Sequence, residues 1–383
     1  MIRSYRYRLQ MDAQIGRAFE AAIAASNQIY NAALEERVSA WSKATKSITK
    51  FDQMKSLTQI RADDPTMARY AAVMLRTPLI QVDEAFKSFF ARCKRGEKPG
   101  FPRFRSLRRL RSFGFTEAAG WIIRGFSLRM KGLPTVRLKM HRPLEGKTLK
   151  LTVKRDARGR WFAVIVVELP DVYGPTAKGA IGLDLGVENI VTDSNGKAYG
   201  KISPDRKGGA KRSRIERHLA RQRRGSRRWK NSRRRLATQR QREADARRTR
   251  HFQIASEIVE SGPQVIVVED LRLRNMTRSA KGTLVEPGKN VAAKSGLNRS
   301  MLDAGLGQFV QILSDKAVSA GRIVIAVDPR NTSQTCSDCG TVVKKLLAQR
   351  QHRCGCGLRL HRDHNAACNV LHRGVVAPGR LAA

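Results

Sequence analysis

Asp184 closes one apolar run, Ala180-Ile181-Gly182-Leu183, and Glu269 closes another, Val265-Ile266-Val267-Val268. A carboxylate at the end of a buried strand must sit at the sheet edge or be paired, because burying it alone is costly. Two such acids on adjacent strands, joined by a third from a helix, form the hard-oxygen set that Mg²⁺ or Mn²⁺ takes, with positions left for water and phosphate. Two such ions orient an attacking water and neutralise the leaving oxygen in phosphodiester hydrolysis. Three residues compete for the third place: Asp270, Asp328, and Asp363 in His361-Arg362-Asp363-His364-Asn365. Asp270 follows Glu269 directly and so points to the other face of a strand. Asp328 precedes Pro329 in the manner of a turn residue, so Asp363 is preferred. Gly182 and Gly186 flank Asp184 and are expected to let backbone and a bulky ligand come close.

A second set of ligand types lies between Cys336 and Cys356. Cys336, Cys339, Cys354 and Cys356 read as C-x₂-C followed by C-x-C, with Gly340, Gly355 and Gly357 available for tight knuckles. That pattern suits a tetrahedral thiolate zinc site, structural because protein fills every position. The shortened second pair leaves His352 and His361 as alternatives for one ligand. Six cysteines in a long chain whose first residues show no apolar signal segment point to a reducing compartment. There CxxC means metal more often than disulfide, and Cys93 is expected to be a plain thiol. A cytoplasmic, nucleoid-associated location is the expectation.

Charge narrows the partner. Lys and Arg number 75 against 32 Asp and Glu, a formal net charge of +43. Such a field favours a polyanion, with affinity that falls as salt rises through counterion release. No run approaches the ~18 consecutive apolar residues of a membrane helix. No GxxxxGK[ST] phosphate loop occurs, and Ser and Cys nucleophile signatures are absent, so an ATP motor and covalent hydrolysis are unsupported. The densest charge lies in 206–250, where Glu216, Glu243 and Asp245 are the acids. This stretch is interior, lacks Pro and is flanked by strands, so it predicts two exposed helices turning near Gly225-Ser226. Arg223, Arg224, Arg227, Arg228, Lys230, Arg233 and Arg234 are its candidate backbone-phosphate contacts.

These sites need a frame. Residues 3–9 alternate, Tyr5, Tyr7 and Leu9 against Arg6 and Arg8, which predicts a half-buried strand. From Asp12 the period lengthens, and Phe19, Ile23, Tyr30, Leu34, Val38 and Trp41 form one helical stripe. A second helical pattern runs from about Leu79 through Phe86, Phe89 and Phe90 to a break at Gly96–Gly100. The section from about Phe104 to Leu169 is strand-rich, with a hairpin across Asp156–Gly159 that the strand at Tyr5 completes as a sheet or barrel. Gly174–Lys178 reads as a linker. Strands then follow at Ala180–Asp184, Asn189–Thr192, Gln264–Val268 and Arg322–Val327. A polar loop is expected over Asn275–Arg299, a helix over Met301–Ala320, a helix over Asp363–His372, and a mobile tail beyond Arg373. No internal repeat is visible. The order hairpin, helix, strand, helix, strand fits an RNase H-like sheet bearing the acids.

The chain also resembles the TnpB/OrfB family of transposon-encoded RNA-guided nucleases, relatives of compact type V CRISPR effectors. The resemblance covers most of the length: KPGFPRFRS at Lys98–Ser106, IGLDLGVENIVTDSNG at Ile181–Gly196, the basic helix pair, VIVVEDL at Val265–Leu271, TSQTCSDCG at Thr332–Gly340, and RCGCGLRLHRDHNAACNVL at Arg353–Leu371. It implies a multidomain α/β protein. A wedge-type β-barrel would take 1–10 and 100–174, and a helical recognition lobe 11–99. A split RuvC-type nuclease domain would take 175–330 and 358–373, with the basic helices at 206–260. A zinc-binding target-binding insert would take 331–357, and the tail 374–383. By the same resemblance Asp184, Glu269 and Asp363 match the catalytic acids, the partners are a guide RNA and double-stranded target DNA beside a short motif, and the cofactors are Mg²⁺ or Mn²⁺ and zinc. Two positions depart from the family pattern: CGCG replaces a second C-x₂-C, and LHRD stands where HDRD is common. Relatives lacking the acids act as guided repressors, whereas this chain retains all three. Transposase-type strand transfer is the other alternative, since RNase H-like folds serve that chemistry too.

Overall fold

The computed structural model describes residues 1–170, 179–200, 206–283, 285–346, 349–376 and 380–381. Two compact units divide the chain, Met1–Pro170 and Asp171–Ala383. The linker expected at Gly174–Lys178 lies outside the described residues.

The first unit runs β1 (Ile2–Leu9), α1 (Ala13–Ala44), α2 (Lys50–Asp63), α3 (Pro65–Ala68), α4 (Ala72–Lys94), β2 (Ser112–Phe115), β3 (Trp121–Arg124), β4 (Ser127–Met130), β5 (Leu133–Lys139), β6 (Lys147–Arg155) and β7 (Trp161–Glu168). Its strands form one antiparallel sheet in the order β2-β6-β7-β1-β5-β4-β3. The N-terminal strand thus sits mid-sheet, with Tyr5, Tyr7 and Leu9 buried on the alternating face. Register shifts at Leu128/Met130 and Thr148/Lys150 bend the sheet.

Helices and sheet share a single core in which Phe19 meets Phe113 and Trp161 edge-on. Asp12 caps α1 by accepting from the Ile15 amide at 2.7 Å. The α1 stripe holds through Leu34, but Trp41, expected on it, is 60% exposed because the helix has outrun its core. Helix α4 begins seven residues before Leu79 and carries Pro78 inside. Proline removes one helical hydrogen bond, yet burial of Met74, Leu75, Leu79 and Val82 keeps the helix running.

The second unit runs β8 (Ala180–Leu185), β9 (Asn189–Asp193), β10 (Ala198–Gly200), α5 (Arg206–Ala220), α6 (Arg227–Glu260), β11 (Val265–Glu269), α7 (Leu273–Met276), α8 (Val291–Ala304), α9 (Leu306–Ser319), β12 (Ile323–Val327), β13 (Gln351–Arg353), β14 (Arg359–His361), α10 (Arg362–Val376) and β15 (Arg380–Leu381). Its main sheet has the order β10-β9-β8-β11-β12-β15. Strands β8, β11 and β12 are parallel, and β9, β10 and β15 run antiparallel to their neighbours. The core residues Ile254, Ile258, Ile266, Phe309 and Leu313 lie between this sheet and helices α6 and α9.

Three expectations change here. The helix expected over Met301–Ala320 is two helices, parted at Gly305, whose φ of +65° a glycine adopts freely. The loop expected over Asn275–Arg299 contains the end of α7 and much of α8. Residues 292–300 of α8 are mostly exposed, so they carry little apolar periodicity to read. Beyond Arg373, α10 continues to Val376, and Arg380–Leu381 pairs with β12, where a mobile tail was expected. The remaining tail residues, 377–379 and 382–383, lie outside the described residues.

Candidate active site and metal centre

The two strand-end acids arrive by register. Parallel pairing sets Leu183 beside Val268, so Asp184 and Glu269 leave the same end of adjacent strands. Asp363 comes from the first turn of α10, where the helix N-terminus favours negative charge. Close packing brings that helix in. A Cβ on Gly182 would meet the Ala367 carbonyl oxygen at 2.2 Å, and one on Gly374 would meet Val267 at 2.4 Å. Gly182 therefore admits a helix, not the bulky ligand expected beside Asp184. His364 fastens the same turn, its Nε2 3.2 Å from the Ser194 carbonyl oxygen.

The charges of the three acids act on one another. Burial raises the Asp184 carboxyl well above the usual carboxylate range, and the charges of Glu269 and Asp363 raise it further. Glu269 is buried and pushed up to about 7 by desolvation, against the opposing pull of the Thr332 hydroxyl and of Arg373. The Thr332 hydroxyl donates to Glu269 Oε1 at 2.7 Å. The three carboxylates are not drawn into one 4.8 Å group. Buried, mutually repelling carboxylates are relieved by hard cations, so the donor set fits Mg²⁺ or Mn²⁺.

The competing acids stand elsewhere. Asp270 is exposed next to Glu269. Asp328 is exposed and accepts from the Arg330 amide at 2.9 Å, holding its own turn. A cleft of about 1190 Å³ opens beside Glu269, with Leu273, Met276 and Val310 in its wall and Arg272, Arg330 and Arg373 also lining it.

The cysteine cluster closes despite its short second pair. All four sulfurs lie within 4.8 Å of one another, with Cys336 3.7 Å from Cys356 and Cys339 3.5 Å from Cys354. The Gly340 amide donates to the Cys336 carbonyl oxygen and the Gly357 amide to that of Cys354, each at 3.1 Å, forming the two knuckles. Hydrogen bonds from Thr341 lower the Cys339 thiol to about 6. The four sulfurs fit a tetrahedral thiolate zinc site. Neither alternative ligand joins them: His352 is buried against Lys345, and His361 lies 3.8 Å from Asp363.

Two asparagines on α10 tie this cluster to the helix of Asp363. Asn365 Oδ1 accepts from the Ser337 amide at 3.0 Å, and its Nδ2 donates to the Thr335 carbonyl oxygen at 2.7 Å. Asn369 Nδ2 donates to the carbonyl oxygens of Thr332 and Thr335 at 2.8 and 2.7 Å. Sequence reasoning passed over Thr332, Asn365 and Asn369. The available signal was the i, i+4 spacing of two asparagines on an alanine face, which marks one helical surface.

Arg223, Arg224, Arg227, Arg228, Lys230, Arg233 and Arg234 are all exposed, at the α5–α6 turn and the start of α6. Ser226 caps α6 by accepting from the Trp229 amide, and Arg233 lies over the Trp229 ring at 5.0 Å. The segment's scarce acids join its helices, with Arg212 on Glu243 at 2.7 Å and Arg240 on Glu216 at 2.8 Å. Partial exposure makes these worth little individually, but they align the pair. The far end of α6 is buried at Ile254, Ala255 and Ile258.

Comparison with known proteins bears on this arrangement. Over 313 residues the chain is 31% identical to "Putative RNA-guided DNA endonuclease InsQ" of Escherichia coli K12, covering 80% of this chain and 76% of that protein. The chain belongs to the TnpB/OrfB family. A family model described as "Probable transposase" matches residues 164–280, and one described as "Cas12f1-like, TNB domain" matches 307–370. A second family relative, "Putative RNA-guided DNA endonuclease" of Streptomyces pristinaespiralis, is 28% identical over 98% of this chain and 90% of its own length. The fold of the family member described here is similar to that in a cryo-EM structure of a Cas12f1–sgRNA–target DNA complex, with TM-score 0.60, 15% identity, and coverage of 94% of this chain and 83% of that one. Among the described residues no helix is long and apolar enough to cross a membrane.

Proposed function

We propose that this chain is an RNA-guided DNA endonuclease that binds a guide RNA and hydrolyses target DNA at a RuvC-type site of Asp184, Glu269 and Asp363. One observation carries the reading: β8, β11 and α10 bring Asp184, Glu269 and Asp363 to one end of a single sheet, where the Asp363 charge raises the carboxyls of both Asp184 and Glu269. The strand order β10-β9-β8-β11-β12, antiparallel then parallel, supports an RNase H-like fold. Divalent cations would supply charge neutralisation and an activated water there. Glu269, pushed up to about 7 by desolvation, would hold a cation together with Asp184 and Asp363. The Thr332 hydroxyl orients its carboxylate, and α10 presents Asp363. The exposed arginines at the α5–α6 turn suit backbone tracking of a heteroduplex, which base pairing, not protein, reads for sequence.

The finer division follows the same reading. The first unit would provide a wedge-type barrel (1–10 and 100–174) and a recognition lobe (11–99). The second would provide a split nuclease domain (175–330 and 358–373), with a zinc-bearing insert (331–357) that contacts target nucleic acid. The names of the curated relatives support guide RNA and DNA as partners.

The test is sequencing of the RNA that co-purifies, followed by Mg²⁺-dependent cutting of a duplex matched to it. One discrete RNA and guide-dependent cutting are expected. Heterogeneous RNA fragments, or cutting without regard to the guide, would overturn the reading.

A further inference from the structure

Thr332 occupies an unusual junction. It lies four residues before the first cysteine of the cluster, is 4% exposed, and directs its hydroxyl at Glu269 Oε1 at 2.7 Å, closer than the Pro329 carbonyl oxygen at 3.1 Å. A carboxylate at a strand end has rotamer freedom, and a buried donor on one oxygen removes it, leaving the other oxygen for a cation. The backbone beyond Thr332 is held by α10, by Lys345 and by the cluster. Asn369 and Asn365 grip the Thr332 and Thr335 carbonyl oxygens and the Ser337 amide. Cys336, within the same stretch, belongs to the cluster. The stretch 332–337 therefore touches the acidic site at one end and the sulfur cluster at the other.

We propose that Thr332 is a positioning residue for Glu269, and that the Thr332–Ser337 segment passes the metal state of the cysteine cluster to the acidic site. A metal in the cluster would lock the converged sulfurs, pin Cys336, and keep Thr332 against Glu269. Emptying it removes the sulfur anchor and leaves the segment to its hydrogen bonds alone, from Asn365, Asn369, Lys345 and Arg362 among others. The two metal centres are then thermodynamically linked through one hydroxyl, so loading one must strengthen the other. This inference rests on the proposed reading of Asp184, Glu269 and Asp363 as a cation site.

The test measures Mn²⁺ binding by electron paramagnetic resonance, without nucleic acid. Wild type, Thr332→Val, Thr332→Ser and Glu269→Gln are each compared with zinc loaded and with zinc removed, and helix content is followed by circular dichroism. With zinc bound, Thr332→Val should bind Mn²⁺ about 10-fold more weakly, as loss of an outer-shell partner does, and Thr332→Ser should recover most of it. Zinc removal should weaken Mn²⁺ binding in wild type but have little further effect in Thr332→Val, because the link is already cut. Thr332→Val binding Mn²⁺ like wild type, while Glu269→Gln does not, would overturn this inference alone. Equal zinc dependence in wild type and Thr332→Val would also overturn the link. Mn²⁺ binding that ignores Glu269→Gln would remove the cation site itself, and this inference with it.

Discussion

The cysteine cluster and the acidic site are built on opposite plans. The four sulfurs come from 21 consecutive positions, Cys336 to Cys356, and two glycine knuckles suffice to fold them together. The three carboxylates come from positions 184 to 363 and meet only because a parallel register and a helix against Gly182 bring them there. Soft ligands converge locally and leave no room for substrate. Hard ligands converge through the tertiary fold and stay spread apart. A local site is expected to fail by losing stability, and a distributed site by losing function while the fold survives.

The largest effect is expected at the acids. Asp184→Ala, Glu269→Ala or Asp363→Ala should each reduce Mg²⁺-dependent cutting of a guide-matched duplex by at least about 1,000-fold, with double variants hardly worse, because such groups act as a unit. Binding of the same duplex by gel shift should persist, since base pairing and basic surface carry it. Asp328→Ala should retain most activity. Robust cutting by Asp363→Ala would move the third acid elsewhere.

The cluster should break differently. Cys336→Ser or Cys356→Ser should lower zinc content, about one ion per chain by elemental analysis in wild type, and lower the melting temperature of the second unit. Structural zinc contributes folding energy directly. Full activity and stability without zinc would erase the contrast between the two sites.

A weaker effect is expected at the basic turn. Changing Arg223, Arg224, Arg227 and Arg228 to Gln should weaken nucleic-acid binding uniformly across sequences and flatten its salt dependence by about one unit per lost phosphate contact. An unchanged slope in a salt titration would mean that this face is merely solvated.

The smallest effect sharpens the comparison through pH. Glu269 ionises at about 7 in the folded chain, above its ordinary 4.5. The resulting stability is fully present below about pH 4.5 and is lost as pH rises through about 7. Without magnesium, Glu269→Gln should therefore be more stable than wild type at pH 8 by up to about 3 kcal/mol, with the gap closing toward pH 4.5. Thermal melts across that range check it, and a gap that widens on acidification would contradict the desolvated state of this carboxylate.

Much of this was legible in the sequence, though unevenly. Apolar runs ending in an acid announced β8 and β11, because a buried strand needs continuous hydrophobicity and its end is where a charge can emerge. Alternation disclosed β1, and the cysteine spacing disclosed a sulfur cluster that fits a metal. The α5–α6 pair was visible as charge, yet the burial of Ile254 and Ile258 was not, because a few buried apolar residues in a long basic helix carry little periodic signal. Trp41 misled in the opposite sense, keeping a helical spacing beyond the end of its core.

What the sequence determined by itself is chemistry and local form: which residues can hold hard or soft metals, where most strands and helices run, and a charge that favours a polyanion. These follow from residue type and short-range spacing. Tertiary structure alone decided that Gly182 serves a helix, that Asn365 and Asn369 face the cluster, and that Thr332 reaches Glu269 across 63 positions of chain. Such contacts depend on the packing of distant elements, and a hydroxyl has no sequence period by which to announce its partner.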